Sequence, residues 1–117
     1  MTAPIPLRPA VAAGDWLAVS GQLGLKDGAL VEGGAQAQAA QALTNLREVV
    51  ESHGARLEDV VKTNVFLVTT DDYAAMNEEY AKVFTTDPPA RSAVAVHQLP
   101  LGGLVEIEAW VYLPRSS

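Results

Sequence analysis

The stretch LVEIEAWVYL, residues 104–113, constrains this chain more than any other. Read as a strand, it alternates Val105, Ile107, Ala109, Val111 and Leu113 onto one face and Leu104, Glu106, Glu108, Trp110 and Tyr112 onto the other. The first face is entirely apolar and suits a position beneath helices. The second sets a leucine and two aromatic rings around two carboxylates. Left in water, that second face would be an exposed apolar patch of the kind that marks an interface.

The remaining sequence offers cover for only one of the two faces. RPAVAAGDWLAVSGQ reads as a hairpin, with Gly14-Asp15 between two apolar runs and glycine at the first position of a type II′ turn. LGLKDGALVEGG is turn-rich, and Asp27-Gly28 is its strongest turn signal. From Ala35 to about Ser52 the period becomes helical. Ala39, Leu43, Leu46 and Val50 form the apolar stripe, Gln38, Gln41, Arg47 and Glu51 lie elsewhere, and Gly54 follows as a stop.

VVKTNVFLV (60–68) is β-branched and strand-like. A second helix begins near Thr70–Asp72, carries Tyr73, Met76, Tyr80 and Phe84 on one side as core packing, and stops before Pro88-Pro89. Residues 91–97 and 104–113 are the last two strands, joined through QLPLGG. The expected fold is α+β, in the order β-β-α-β-α-β-β, with two helices on one face of a five-stranded sheet. Its open face implies a homo-oligomer. Residues 1–117 read as one unit, with no linker, repeat or low-complexity tract.

Composition narrows the function. Eight basic and fourteen acidic residues give a net charge of −6, and the basic residues do not cluster, which disfavours nucleic acid as a ligand. With no cysteine and two histidines outside any metal-binding spacing, no metal site is expected. The absence of cysteine is compatible with a reducing cytoplasm, and a cytoplasmic location is expected. No basic-then-apolar leader opens the sequence and no apolar run is long enough to span a membrane, so no membrane partner is expected.

Arg91 is the charged residue that stands out. It shares one face of its strand with Ala93, Ala95 and His97, and the alanines leave room beside a guanidinium, whose planar fork suits a carboxylate. A nearby glutamate would orient or deprotonate a water. The competing reading is an interfacial ion pair in which Arg91 neutralises Glu106 or Glu108. If the two last strands form a hairpin about Pro100-Leu101, Arg91 lies near Trp110, and the Glu106 that completes its site belongs to a neighbouring subunit. Ser20-Gly21 reads as a strand-end bend or as a close-approach point for a ligand. Asn77 reads as a solvent-facing or satisfied helix asparagine and His97 as a half-buried strand histidine.

VSGQLGL, NLREVVESHGARLEDVVKTNVFLV, DYAAMNEEYAKVF, PPARSAVAV and LPLGGLVEIEAWV together resemble the RidA/YjgF family of reactive-intermediate deaminases, from about Pro9 to Leu113. The resemblance implies a chorismate-mutase-like fold and a homotrimer whose sheets form a central barrel, with ligand sites in the clefts between subunits. It implies hydrolysis of enamine and imine intermediates such as 2-aminoacrylate, and related 2-imino acids, to 2-oxo acids and ammonia, without a cofactor. Carried over, Arg91 of PARS binds the substrate carboxylate and Glu106, the first glutamate of EIEA, positions water. Ser20, Gly21, Asn77 and Ala93 line the cleft.

Two departures affect that lining. Ile5-Pro6-Leu7 stands where members often have Gly-Pro-Tyr, and Ala93 where many have cysteine. The alternative to a deaminase is a non-catalytic trimer that binds small carboxylates or related metabolites.

Overall fold

The computed structural model describes residues 5–114. In chain order the elements are β1 (Ala10–Ala13), β2 (Trp16–Leu23), β3 (Leu25–Lys26), β4 (Ala29–Leu30), α1 (Gly34–Ser52), β5 (Val60–Leu67), α2 (Tyr73–Val83), β6 (Ala90–Ala95) and β7 (Val105–Tyr112). Short 3₁₀ turns occupy Leu57–Asp59, Thr70–Asp72 and Pro100–Gly102. The main sheet has the order β1-β2-β7-β5-β6, antiparallel except for the β5–β6 pair. The fold is α+β, with a mixed sheet and two helices.

Local chemistry explains the turns. Ala13 pairs with Trp16, which leaves Gly14-Asp15 as the loop, and Gly14 takes φ 61°. Lys26 pairs with Ala29 around Asp27-Gly28, both at positive φ (53° and 83°), the requirement of a type I′ turn. This turn closes a two-stranded ladder, β3–β4, that is too short to show in the apolar pattern.

α1 buries the expected stripe of Ala39, Leu43, Leu46 and Val50. Gln38 departs from expectation. It is buried, and its Oε1 accepts a 2.8 Å hydrogen bond from the Leu104 backbone N–H. Helix and sheet meet in one core, in which Leu17, Val19, Thr63, Val65, Leu67, Val105, Ile107, Ala109 and Val111 form the helix-facing layer. Burying each large aliphatic side chain here contributes roughly 1.5–3 kcal/mol.

The opposite face carries Trp16, Trp110 and Tyr112, each more than two-fifths exposed, with the Trp16 and Tyr112 rings 5.0 Å apart. Leu104 is not in that row; it packs against the core instead.

The expected pairing of the last two strands is overturned. β5 lies between β6 and β7, so these two are not neighbours. α2 connects β5 to β6 as a crossover, the connection a parallel pair requires. β7, last in sequence, fills the centre of the sheet between β2 and β5. His97 lies beyond the end of β6 and is exposed, not half-buried in a strand.

Candidate functional site

Arg91 sits on the edge strand β6, opposite Thr63 of β5. Thr63 faces the core and its hydroxyl shares a buried 2.7 Å hydrogen bond with Tyr80 Oη, so Arg91 points to the same side, toward α2. Three residues of one α2 stripe receive it. Nη1 donates to Asn77 Oδ1 at 2.7 Å and Nη2 to Tyr73 Oη at 3.0 Å, while the guanidinium carbon lies 4.7 Å from the centre of the Tyr80 ring. A longer contact of 3.9 Å runs from Nη1 to Met76 Sδ.

All these partners are neutral. Among the described residues the ion pairs are Arg56–Glu58 and Lys82–Glu79, and neither includes Arg91. The ion-pair reading of Arg91 is therefore not realised within one chain. Nε–H has no partner among the described residues, so the guanidinium keeps both positive charge and donor capacity for an anion. A cleft of about 420 Å³ adjoins it, lined by Asn77, Tyr80, Phe84, Pro88 and Pro89.

Glu106 belongs to a second cluster on the other face. The register runs Arg91, Thr63, Ala109 across β6, β5 and β7, and Glu106 lies three residues from Ala109 opposite Phe66. That is roughly 10 Å across the strands and 10 Å along them, with the sheet in between. The hairpin estimate that put Arg91 beside Trp110 is replaced by this register. Its consequence stands: one chain does not bring Arg91 and Glu106 together.

The Glu106 carboxyl lies against Gly21, where a Cβ would come within 2.7 Å of its Cδ. Only glycine admits so close an approach. The pairing of β2 with β7 shifts register between Val19 and Gln22, so Ser20-Gly21 forms an irregularity inside the strand, not a bend at its end. Ser20 Oγ donates to Arg8 O at 2.6 Å and its N–H to Pro9 O at 2.9 Å, tying the preceding segment to this point. Burial raises the Glu106 carboxyl above its ordinary value, and the Glu108 charge pushes the same way. Glu108 itself accepts a 3.1 Å hydrogen bond from Asn64 Nδ2.

Of the residues expected at a site, Arg91 and Asn77 therefore form one group, with Ala93 two residues along β6 and packed partly against the core. Ser20, Gly21 and Glu106 lie at the other. Tyr80 packs in the core, as expected from the sequence, and also supports the guanidinium; Tyr73 departs from that expectation, being 43% exposed, outside the core and bonded to Arg91. Their spacing with Asn77 at positions 73, 77 and 80 was the available signal, a single helical stripe with two polar tips. Leu7, at the departure noted in the sequence, is exposed.

Residues 2–113 match the family described as Endoribonuclease L-PSP. The chain belongs to this family, the RidA/YjgF family. Among its RidA/YjgF relatives, a 2-iminobutanoate/2-iminopropanoate deaminase of Dermatophagoides farinae is 40% identical over 95% of this chain and 91% of that protein. Two solved structures place the fold in the same family. RidA from the Antarctic bacterium Psychrobacter sp. PAMC 21119 is 40% identical with a TM-score of 0.90, covering 96% of this chain and 92% of that one. E. coli TdcF with bound serine is 32% identical with a TM-score of 0.88, covering 97% and 91%.

Proposed function

We propose that this protein hydrolyses 2-imino acids, and the enamines that tautomerise to them, to 2-oxo acids and ammonia. The observation that carries the reading is Arg91, a cation at the mouth of a cleft that, among the described residues, is held by neutral groups and has no partner for its Nε–H. Such a group takes a small carboxylate. The deaminase among the relatives and the TdcF structure with bound serine support a small amino-acid-derived ligand.

The complete site requires a second copy. Arg91 and Glu106 lie on opposite faces, and the Trp16, Trp110 and Tyr112 face is apolar enough to be buried between subunits. In this reading three copies pack their sheets into a barrel, and each cleft combines Arg91 of one subunit with Glu106 of the next. Ser20 and Gly21 accompany Glu106, while Asn77 and Ala93 accompany Arg91.

The chemistry follows from these roles. Arg91 anchors the carboxylate and fixes the imine carbon in place. Glu106 accepts a proton from water as the oxygen bonds to C2, and passes it to the nitrogen that receives the C=N electron pair. In the resulting carbinolamine Glu106 takes the hydroxyl proton as the carbonyl re-forms, and gives it to the nitrogen as the C–N bond breaks and ammonia leaves. A carboxyl raised by burial suits this two-way transfer. The imine carbon is electrophilic by itself, so the step calls for no cofactor.

An RNA-directed activity, suggested by the family's description, is opposed by the net charge of −6 and the scattered basic residues. The deciding experiment generates imino acids in place with an amino-acid oxidase and follows 2-oxo acid and ammonia. Acceleration by the unaltered protein and its loss in Arg91→Ala, with assembly intact, is the expected result. No acceleration with alanine-, leucine- and methionine-derived imines would leave a carboxylate-binding trimer without catalysis.

A further inference from the structure

We infer that Tyr73 is a positioning residue for Arg91, its hydroxyl fixing the rotation of the guanidinium so that the Nε edge faces outward to a carboxylate. This rests on the reading of Arg91 as the carboxylate anchor and adds a residue outside the site set expected from the sequence and the family resemblance.

An arginine side chain has four rotatable bonds before its planar head, and a site built on one needs the head held. β6 is an edge strand, so no further strand braces Arg91 from outside. The bracing comes from α2. Asn77 fixes Nη1 and the Tyr80 ring supports the guanidinium, but these two contacts leave rotation about the Nη1 contact open. The Tyr73 hydroxyl, bonded to Nη2 at 3.0 Å, closes that freedom. With Nη1 bonded to Asn77 and touching Met76 Sδ, and Nη2 bonded to Tyr73, Nε–H and the second Nη2 hydrogen are the donors left over among the described residues.

The hydroxyl has no other evident purpose in the fold. Tyr73 is 43% exposed, stands outside the core cluster, and its hydroxyl makes no further hydrogen bond among the described residues. A phenylalanine would keep the ring beside Arg91, where the centroid lies 5.6 Å from the guanidinium carbon, and lose only the bond to Nη2. That makes Tyr73→Phe a clean probe of the hydroxyl.

Two measurements test the inference, with 2-oxobutanoate as the carboxylate probe. Nitrogen NMR of the guanidinium reports rotation directly. Unaltered protein is expected to give resolved, slowly exchanging Arg91 Nη signals, and Tyr73→Phe to give exchange-averaged ones. Titration of the probe is expected to weaken about fivefold in Tyr73→Phe, as befits one net hydrogen bond. In turnover the loss should fall on KM with kcat nearly unchanged, and the thermal midpoint should not move.

Equal nitrogen exchange in the two proteins, or equal affinity, overturns the role of Tyr73. The Arg91 anchor would still stand if Arg91→Ala abolished binding. Probe binding that is indifferent to Arg91→Ala, or absent from the unaltered protein, overturns the anchor and with it the inference.

Discussion

Arg91 and Glu106 stand on opposite faces of one sheet, with β5 between the strands that carry them. A catalytic unit built from both must be assembled from two chains. Mixing Arg91→Ala with Glu106→Ala protein, after dissociation and reassembly, should therefore recover activity that neither variant has alone. Random assortment restores about a quarter of the clefts. Recovery near zero would mean that the two residues do not share a site.

Replacing Arg91 tests the anchor itself. Charge-assisted hydrogen bonds contribute about 1.5–3 kcal/mol each, so Arg91→Lys should lower kcat/KM by roughly ten- to a hundredfold. Thermal stability should change little, because the side chain is half-buried and bonded to neutral groups. A large fall in the thermal midpoint would identify Arg91 as a structural brace instead.

Gly21 and Glu106 should couple. In Gly21→Ala the new methyl meets the Glu106 carboxyl at 2.7 Å and displaces this flexible side chain, at a small cost to stability and with a loss of activity. Adding Glu106→Ala removes the obstacle, so the double variant should be more stable than Gly21→Ala alone. Denaturant midpoints of the four proteins check this; additive losses would show that the contact is not the cause.

The raised Glu106 carboxyl fixes the sign of a pH effect. Its ordinary value is 4.5, and burial followed by the Glu108 charge raises it in the folded chain. Between the ordinary and the raised value the folded state binds more protons than the unfolded, so stability falls as pH rises through that window. Glu106→Gln removes the titration. The variant should match the parent below pH 4.5 and exceed it in urea midpoint at neutral pH. An advantage that grew toward acid would reverse the assignment.

The apolar face makes a prediction about assembly. Trp110→Glu puts a third carboxylate on the β7 row that already holds Glu106 and Glu108, at a position now 45% exposed. Sedimentation should find this variant as monomer, folded and inactive. A variant that assembles and turns over normally would place the interface elsewhere.

Much of this was legible in the sequence. Leu43, Leu46 and Val50 announced α1, Gly14-Asp15 and Asp27-Gly28 announced their turns, and the alternation of β7 announced a sheet with two apolar faces. Strand order was not legible. The last two strands follow each other in sequence, and nothing in QLPLGG reveals that β5 lies between them; that order depends on β7 pairing with both β2 and β5. At the site, Arg91 and Glu106 were visible as charges in apolar runs. The holding groups were not, because Tyr73 and Tyr80 look the same in sequence whether their rings fill a core or support a cation. Gly21 was visible only as a glycine, since the carboxyl it accommodates comes from a strand more than eighty residues later.

The central position of β7 has a further consequence for how the protein comes into being. The strand that joins both halves of the sheet follows every other described strand in sequence. While the ribosome is still making α2, β2 and β5 have no common partner, and their apolar faces are left to the solvent or to chaperones. Chains that stop short of residue 105 have every helix and the Arg91 strand, yet lack both Glu106 and the keystone of the sheet. Completion of the sheet and arrival of Glu106 are thus one event, the pairing of β7 with β2 and β5.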